Sequence, residues 1–217
     1  MSNRTILTVV ISLAVLAVGQ AAFSYPTSVN VIPTADILDL GSTRLEYEND
    51  GYPRIGKGDS ISYGFAQFGL TPRVEIGVDQ WDISGEPQNA FNGKLLLAEE
   101  SKFTPALAAG VMDIAEGSRS SGYAVGMKSF GAFRLHLGYI DAEYSKGLMA
   151  GCDQELSEGT YLLADWLPGD ENFLAFGLYK EFAKRWAATL TYGFPNQSGG
   201  DNLTAVNISY TLPLLGK

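Results

Sequence analysis

From about residue 42 onward the chain repeats one pattern. Runs of nine to eleven residues alternate large apolar side chains with small or polar ones, and turn signals separate the runs. About twelve runs begin near Thr43, Asp59, Pro72, Phe91, Pro105, Ser121, Ala132, Lys146, Thr160, Asn172, Arg185 and Asn202. A period of two marks strands with two unlike faces. In "SISYGFAQFGLTPRVEIGVD" (60–79) one alternation reads Ile61, Tyr63, Phe65, then Val74, Ile76, Val78. The other reads Ser60, Ser62, Gly64, Ala66, then Arg73, Glu75, Gly77, Asp79. The division recurs later, with Phe133, Leu135, Leu137 and Tyr139 against Arg134, His136 and Gly138, and with Leu174, Phe176 and Leu178 against Ala175, Gly177 and Tyr179.

The connections fall into two alternating kinds. "GLTP", "SKFTP", "FGA", "ELSEG" and "FAKR" are tight, whereas "ENDGYPRIGKGD", "ISGEPQN", "IAEGSRSSG", "LPGDEN" and "PNQSGGDN" are longer, more acidic, or richer in Gly and Asn. A short outer turn within "IDAEYSKG" (140–147) keeps the parity. One tidy end and one looped end describe an up-and-down meander.

The composition of the second stripe decides which face meets what. A soluble sandwich would carry Lys, Glu, Thr and Gln there, but Gly, Ala and Ser dominate, with a few charges of both signs. Small residues and opposite charges suit a confined interior, and the apolar stripe then faces lipid. In lipid every backbone polar group must be paired, so the sheet must close, and tilted strands of this length cross a bilayer. The expected fold is an all-β, up-and-down antiparallel transmembrane β-barrel of about 12 strands, residues 42–217. Two aromatic belts support it: Phe68, Phe103, Phe130, Phe133, Phe182 and Trp186 near tight turns, and Trp81, Phe91, Tyr139, Trp166, Phe173, Tyr192 and Phe194 near long loops.

The N-terminus adds an export signal. Arg4 precedes the apolar run "TILTVVISLAVLAV", and "GQAAFS" supplies small residues for cleavage, so residues 1–24 are expected to be a signal peptide; the run is short for a transmembrane anchor. Residues 25–41 form a leader, either a partial plug of the barrel or a disordered segment. Thr34 and Gly41 mark a helical turn or two there. The expected location is therefore the bacterial outer membrane, with outer-membrane lipid and lipopolysaccharide as partners.

Charge and rare residues narrow the chemistry. A formal net charge of −9 excludes a nucleic-acid partner. Single Cys152 permits no internal disulfide, and single His136 excludes a multi-histidine metal site. No cofactor, metal site or catalytic residue is expected, since no nucleophile is fixed beside a base. The candidate site is the lumen lining: Arg73, Glu75, Asp79, Lys94, Lys128, Arg134, His136, Asp165 and Glu181. These residues are read as a structural ion-pair lattice or as a solute-recognition surface. Lumen positions such as Gly64, Ala66, Gly77, Ala124, Gly126 and Gly177 leave space, or else permit strand curvature.

Three stretches carry a family resemblance: "VNVIPTADILDLGSTRLEYE" (29–48), "YGFAQFGLTPRVEIGVD" (63–79) and "GKLLLAEESKFTPALAAGVMDIAEG" (93–117). With "SGYAVGMKSFGAFRLHLGY" (121–139), they resemble the YjbH-type outer-membrane barrel proteins over roughly residues 29 to 140. That family is associated with extracellular polysaccharide production. The resemblance implies an accessory or narrow conduit in exopolysaccharide production or export, with polysaccharide as a partner. The other expectation is a structural or small-solute porin-like barrel without a polysaccharide role. The sequence names neither the solute nor the oligomeric state.

Overall fold

The computed structural model describes residues 27–83, 86–115 and 119–213. The expected signal peptide, and residues 25 and 26 of the expected leader, lie outside the described residues. Twelve strands follow in chain order: β1 (Ser42–Arg54), β2 (Lys57–Thr71), β3 (Val74–Ile83), β4 (Glu86–Ala98), β5 (Ala106–Ile114), β6 (Ser121–Phe130), β7 (Phe133–Asp141), β8 (Lys146–Ser157), β9 (Thr160–Trp166), β10 (Phe173–Ala183), β11 (Trp186–Pro195) and β12 (Leu203–Pro213). Each pairs antiparallel with its sequence neighbours, and β1 pairs with β12, so the sheet closes. The barrel expected from the alternation is the one observed. Closure leaves no unpaired edge in the sheet.

Two-residue hairpins make most of the tidy end. In the β8–β9 turn Gly159 takes φ 65°, and in the β10–β11 turn Arg185 takes φ 74° without being glycine. The exception at this end is residues 99–105, between β4 and β5, a seven-residue connection rather than a tight turn. At the opposite end the expected loop "ENDGYPRIGKGD" is not a loop. β1 and β2 stay paired up to Arg54 and Lys57, with only Ile55 and Gly56 between them. Acidic residues alternating with Tyr47 and Asn49 form strand as readily as loop when each carboxylate faces an aqueous bore.

The register also corrects the reading of β2. Ala66 pairs with Leu45 and with Val78, and Phe65 pairs with Asp79. Paired residues share a face, so Ile61, Tyr63 and Phe65 belong with Asp79 and Trp81 inside, not with Ile76 and Val78 outside. A register shift between Gly69 and Thr71 accompanies the turn. Gly64 and Ala66 therefore face outward. β6 behaves likewise: Tyr123, Val125 and Met127 are buried, while Ala124 is exposed and Gly126 shares its outer face. Trp81 and Phe173, expected in an aromatic belt, line the interior instead.

The outer surface is apolar around the ring. Leu45, Ile76, Leu107, Leu137, Leu162, Leu178, Leu190 and Ile208 are exposed large hydrophobics. Phe103, Phe130, Phe182 and Trp186 are exposed at the tidy end, and Phe91, Tyr139, Trp166, Tyr192 and Phe194 toward the other. A lone apolar residue on a surface means little, but a continuous apolar band needs an apolar environment. Lipid supplies it, and the barrel is transmembrane.

Residues 27–41 run inside. They contain no helix: Ser28 and Pro33 form an isolated antiparallel bridge, Val29 N–H donates to Ile32 O at 3.0 Å and Thr34 N–H to Thr27 O at 2.9 Å. The segment is a small hairpin. Its amides at 30–32 are taken by a wall carboxylate, described below, so an intrahelical ladder has no donors left. Val29, Ile32 and Ala35 pack against Ala108, Met112, Tyr123, Val125, Met127, Ile140, Met149 and Leu163, contributed by β5 to β9. One wall of the bore is thus sealed by a dry core.

Candidate functional site

Two carboxylates anchor the hairpin. Near the tidy end, Glu75 on β3 accepts from Thr27 N at 3.1 Å, Thr27 Oγ1 at 2.7 Å and Leu38 N at 3.0 Å. Both stems of the hairpin thus meet at one side chain. Lys94 on β4 lies 3.5 Å from Glu75 and also donates to Thr27 O at 3.4 Å. Both charged side chains are fully buried. Part-way up the bore, Asp165 on β9 accepts from the backbone amides of Asn30, Val31 and Ile32 at 2.8, 2.8 and 3.0 Å, and from Asn30 Nδ2 at 3.0 Å. Four donors on one buried carboxylate replace its hydration.

A third tie crosses from β7. Arg134 donates through Nε to Asp153 at 2.8 Å and through Nη1 to Asp36 at 3.1 Å, so it bridges wall and hairpin. His136 is fully buried and hydrogen-bonds Asp153 Oδ2 through Nε2 at 2.8 Å. Asp79 is solvated by amides, from Gln67 Nε2 at 3.1 Å and Asn92 Nδ2 at 3.2 Å.

Glycines make room for the hairpin. A Cβ built at Gly177 would stand 2.0 Å from Asn30 Oδ1, and one at Gly151 would stand 2.7 Å from Ile32 Cδ1. These small residues on the inner face are filled by protein, not by solvent.

Opposite the dry wall, two cavities remain. The outer one, about 340 Å³, is lined by Glu46, Glu48 and Asp50 of β1, by Tyr63, Phe65 and Trp81, and by Asn30 and Val31 of the hairpin, with Tyr144 and Glu171 at its rim. The inner one, about 260 Å³, is lined by Arg44, Arg134, Asp153, Tyr179, Glu181 and Asp36, among others. Both are bounded by Ser28, Asn30, Glu46, Glu48, Thr191 and Asn207, where they adjoin. At that neck Asn207 Nδ2 donates to Glu46 at 3.1 Å and to Glu48 at 3.2 Å, and Arg44 pairs with Glu46 at 2.9 Å.

Of the expected lumen residues, Glu75, Asp79, Lys94, Arg134, His136, Asp165 and Glu181 face the bore. Arg73 and Lys128 do not. Arg73 lies in the β2–β3 turn, 55% exposed, paired with exposed Glu99 at 3.3 Å. Lys128 falls on the outer face of β6 and reaches Glu100 at 2.6 Å and Ser101 O at 2.7 Å in the 99–105 connection. Hydrogen bonds from Lys128 and Ser129 push the exposed Glu100 carboxyl down to about 2. The β1 carboxylates Glu46, Glu48 and Asp50 are absent from the expected set: Glu48 and Asp50 fall in the expected loop, and Glu46 lies in the expected first strand without being singled out. Their signal lay in the alternation with Leu45, Tyr47 and Asn49.

Among solved structures, the fold is similar to that of a porin named KdgM. One such structure, of KdgM porin in complex with disordered oligogalacturonate, has a TM-score of 0.61 at 10% sequence identity, covering 77% of this chain and 98% of that one. A second, of KdgM porin, has a TM-score of 0.61 at 8% identity with the same coverage. At these identities the likeness is one of fold. No protein-family model and no curated protein matches the chain.

Proposed function

We propose that the protein is a narrow outer-membrane conduit serving exopolysaccharide production or export, with its N-terminal hairpin seated in the bore. The observation that carries this reading is the division of the interior. The hairpin seals one side with apolar packing and leaves two adjoining cavities along β1, β11 and β12, the outer one acidic and aromatic and the inner one polar. A purely structural barrel gains nothing from polar cavities, since filling them with apolar side chains would stabilise it. The porin-like fold supports a conduit, and the saccharide complex of the KdgM porin shows that this fold accommodates sugar chains in another protein. The resemblance of residues 29–140 to YjbH-type proteins supports the polysaccharide role. His136 hydrogen-bonds Asp153, which supports a structural rather than a catalytic part for it. The proposed location is the outer membrane.

The test is planar-bilayer conductance of the purified mature chain, with and without residues 25–41, alongside exopolysaccharide yield from cells lacking the protein. The intact chain is expected to pass a small current and the deletion a several-fold larger one, with yield reduced in the cells. Absence of current from both would leave a closed structural barrel. Current with unchanged yield would leave a small-solute pore without a polysaccharide role.

A further inference from the structure

The outer cavity is chemically one-sided. Glu46, Glu48, Asp50 and Glu171 line it, and among the described residues no Lys, Arg or His does. Glu46 is compensated by Arg44, which lies below the neck. Glu48 and Asp50 stand side by side on the inner face of β1 with no ion pair among the described residues. Asp50 is buried and Glu48 half-buried; neighbouring carboxylates without a counter-charge are costly, and a cation between them would offset that cost.

Two further observations point to a ligand rather than to a bare acidic patch. Asp50 is 7% exposed; Tyr52 Oη–H donates to its Oδ2 at 3.5 Å, and its Oδ1 has no hydrogen-bond partner. Trp81 is 1% exposed, and its indole Nε1–H, a donor only, is also without a partner. Both side chains line the cavity. Buried polar atoms of native proteins are nearly always satisfied, so these two await something that both donates and accepts. The remaining wall is aromatic: Tyr63 and Phe65 line it with centroids 5.8 Å apart and planes 8° apart. No group of three or more His, Cys, Asp or Glu suited to a metal ion occurs among the described residues.

We propose that this cavity binds a hexosamine unit bearing a free ammonium, alone or within a saccharide chain. The ammonium sits between Glu48 and Asp50, where charge-assisted hydrogen bonds are strongest. The ring lies against Tyr63 and Phe65, whose faces also attract the cation, and a hydroxyl oxygen accepts from Trp81. A cavity of about 340 Å³ lies within the range of small-molecule sites. A uronate would place a third negative charge beside two uncompensated carboxylates. This assignment names the substrate class of the conduit proposed above, and rests on that reading for its biological sense but not for its chemistry.

The experiment is calorimetric titration of the detergent-purified mature chain with D-glucosamine, N-acetylglucosamine, galacturonate and choline. Glucosamine is expected to bind, with N-acetylglucosamine about tenfold or more weaker and galacturonate silent. Equal affinity for glucosamine and its N-acetyl form overturns the ammonium assignment. Choline binding as tightly as glucosamine overturns the saccharide assignment. Glu48→Gln and Asp50→Asn, which keep shape and remove charge, are each expected to weaken glucosamine about tenfold; unchanged affinity in the doubly substituted chain overturns the site. The four-ligand comparison needs no variant, so misfolding of a substituted chain does not spare the proposal. Binding without conductance would sink the conduit and leave this site standing, and conductance without binding would do the reverse.

Discussion

Asp165 holds the tip of the hairpin. A two-oxygen acceptor takes three consecutive backbone amides and one side-chain amide, so it fixes both the position and the conformation of residues 30–32. Asp165→Asn keeps the volume and removes the charge. Hydrogen bonds to charged groups contribute about 1.5–3 kcal/mol each, so local opening of the hairpin becomes easier by about 2–3 kcal/mol. Amide hydrogen exchange at 30–32 should then speed up by on the order of 30- to 100-fold, while exchange in β5 and β6 stays unchanged. Equal protection in both proteins would mean that apolar packing of Val29 and Ile32 alone holds the hairpin. At the rim, Glu100 has a pH signature of definite sign. Its folded value lies below its ordinary value of 4.5, so the clamp on Lys128 and Ser129 is fully present above about 4.5 and is lost as pH falls through about 2. A carboxyl titration followed by NMR should place the Glu100 midpoint near 2, and Lys128→Gln should raise it toward the ordinary value.

Among the elements, β2 separates what the sequence discloses from what it hides. Strand existence was legible throughout, and the breaks at Ser121, Lys146 and Thr160 are read directly from alternation and turn residues, but β4 starts at Glu86, inside the expected loop "ISGEPQN", and not near Phe91. Facing was legible in β3, β7, β10, β11 and β12, where large and small residues divide cleanly. It was not legible in β2 and β6. Phe65, Tyr123 and Met127 look like lipid-facing residues, yet they pack inward, because the bore contains a hairpin and an aromatic-walled cavity that need large partners. Only the pairing of Ala66 with Leu45 and Val78 settles the matter. Ala66→Arg tests it. On a lipid-facing wall this change costs about 2–4 kcal/mol near the bilayer midplane, whereas an arginine in a wet bore is tolerated. Chemical unfolding in lipid should show the larger cost for Ala66→Arg and a smaller one for Thr189→Arg, which faces the inner cavity.

On the scale of the whole molecule, the barrel is a ring with an off-centre filling. β5 to β9 build a dry core with the hairpin, and β1, β11 and β12 keep polar side chains apart from it. Most of the charged side chains that turn into the bore serve attachment: Glu75, Lys94, Arg134 and Asp165 all touch residues 27–38. Parity along a strand shows which charges turn inward, yet it is silent on what they meet there, since the contacts between 30 and 165 or between 36 and 134 join residues 135 and 98 positions apart. Glu48 and Asp50 of β1 were hidden for a related reason, since only the long hairpin with β2 reveals "ENDGYPR" as strand.

Glu75 receives both Thr27 and Leu38, and this fixes how the hairpin can ever leave. Thr27 and Leu38 meet at that one side chain, so the hairpin can be drawn toward it like a cork on a doubled string. No part of it needs to traverse the far opening, and no strand of the ring need separate. A load applied from the side of the short turns would peel the carboxylate anchors one after another, whereas pressure from the opposite side would push the tip against bonds that share the strain.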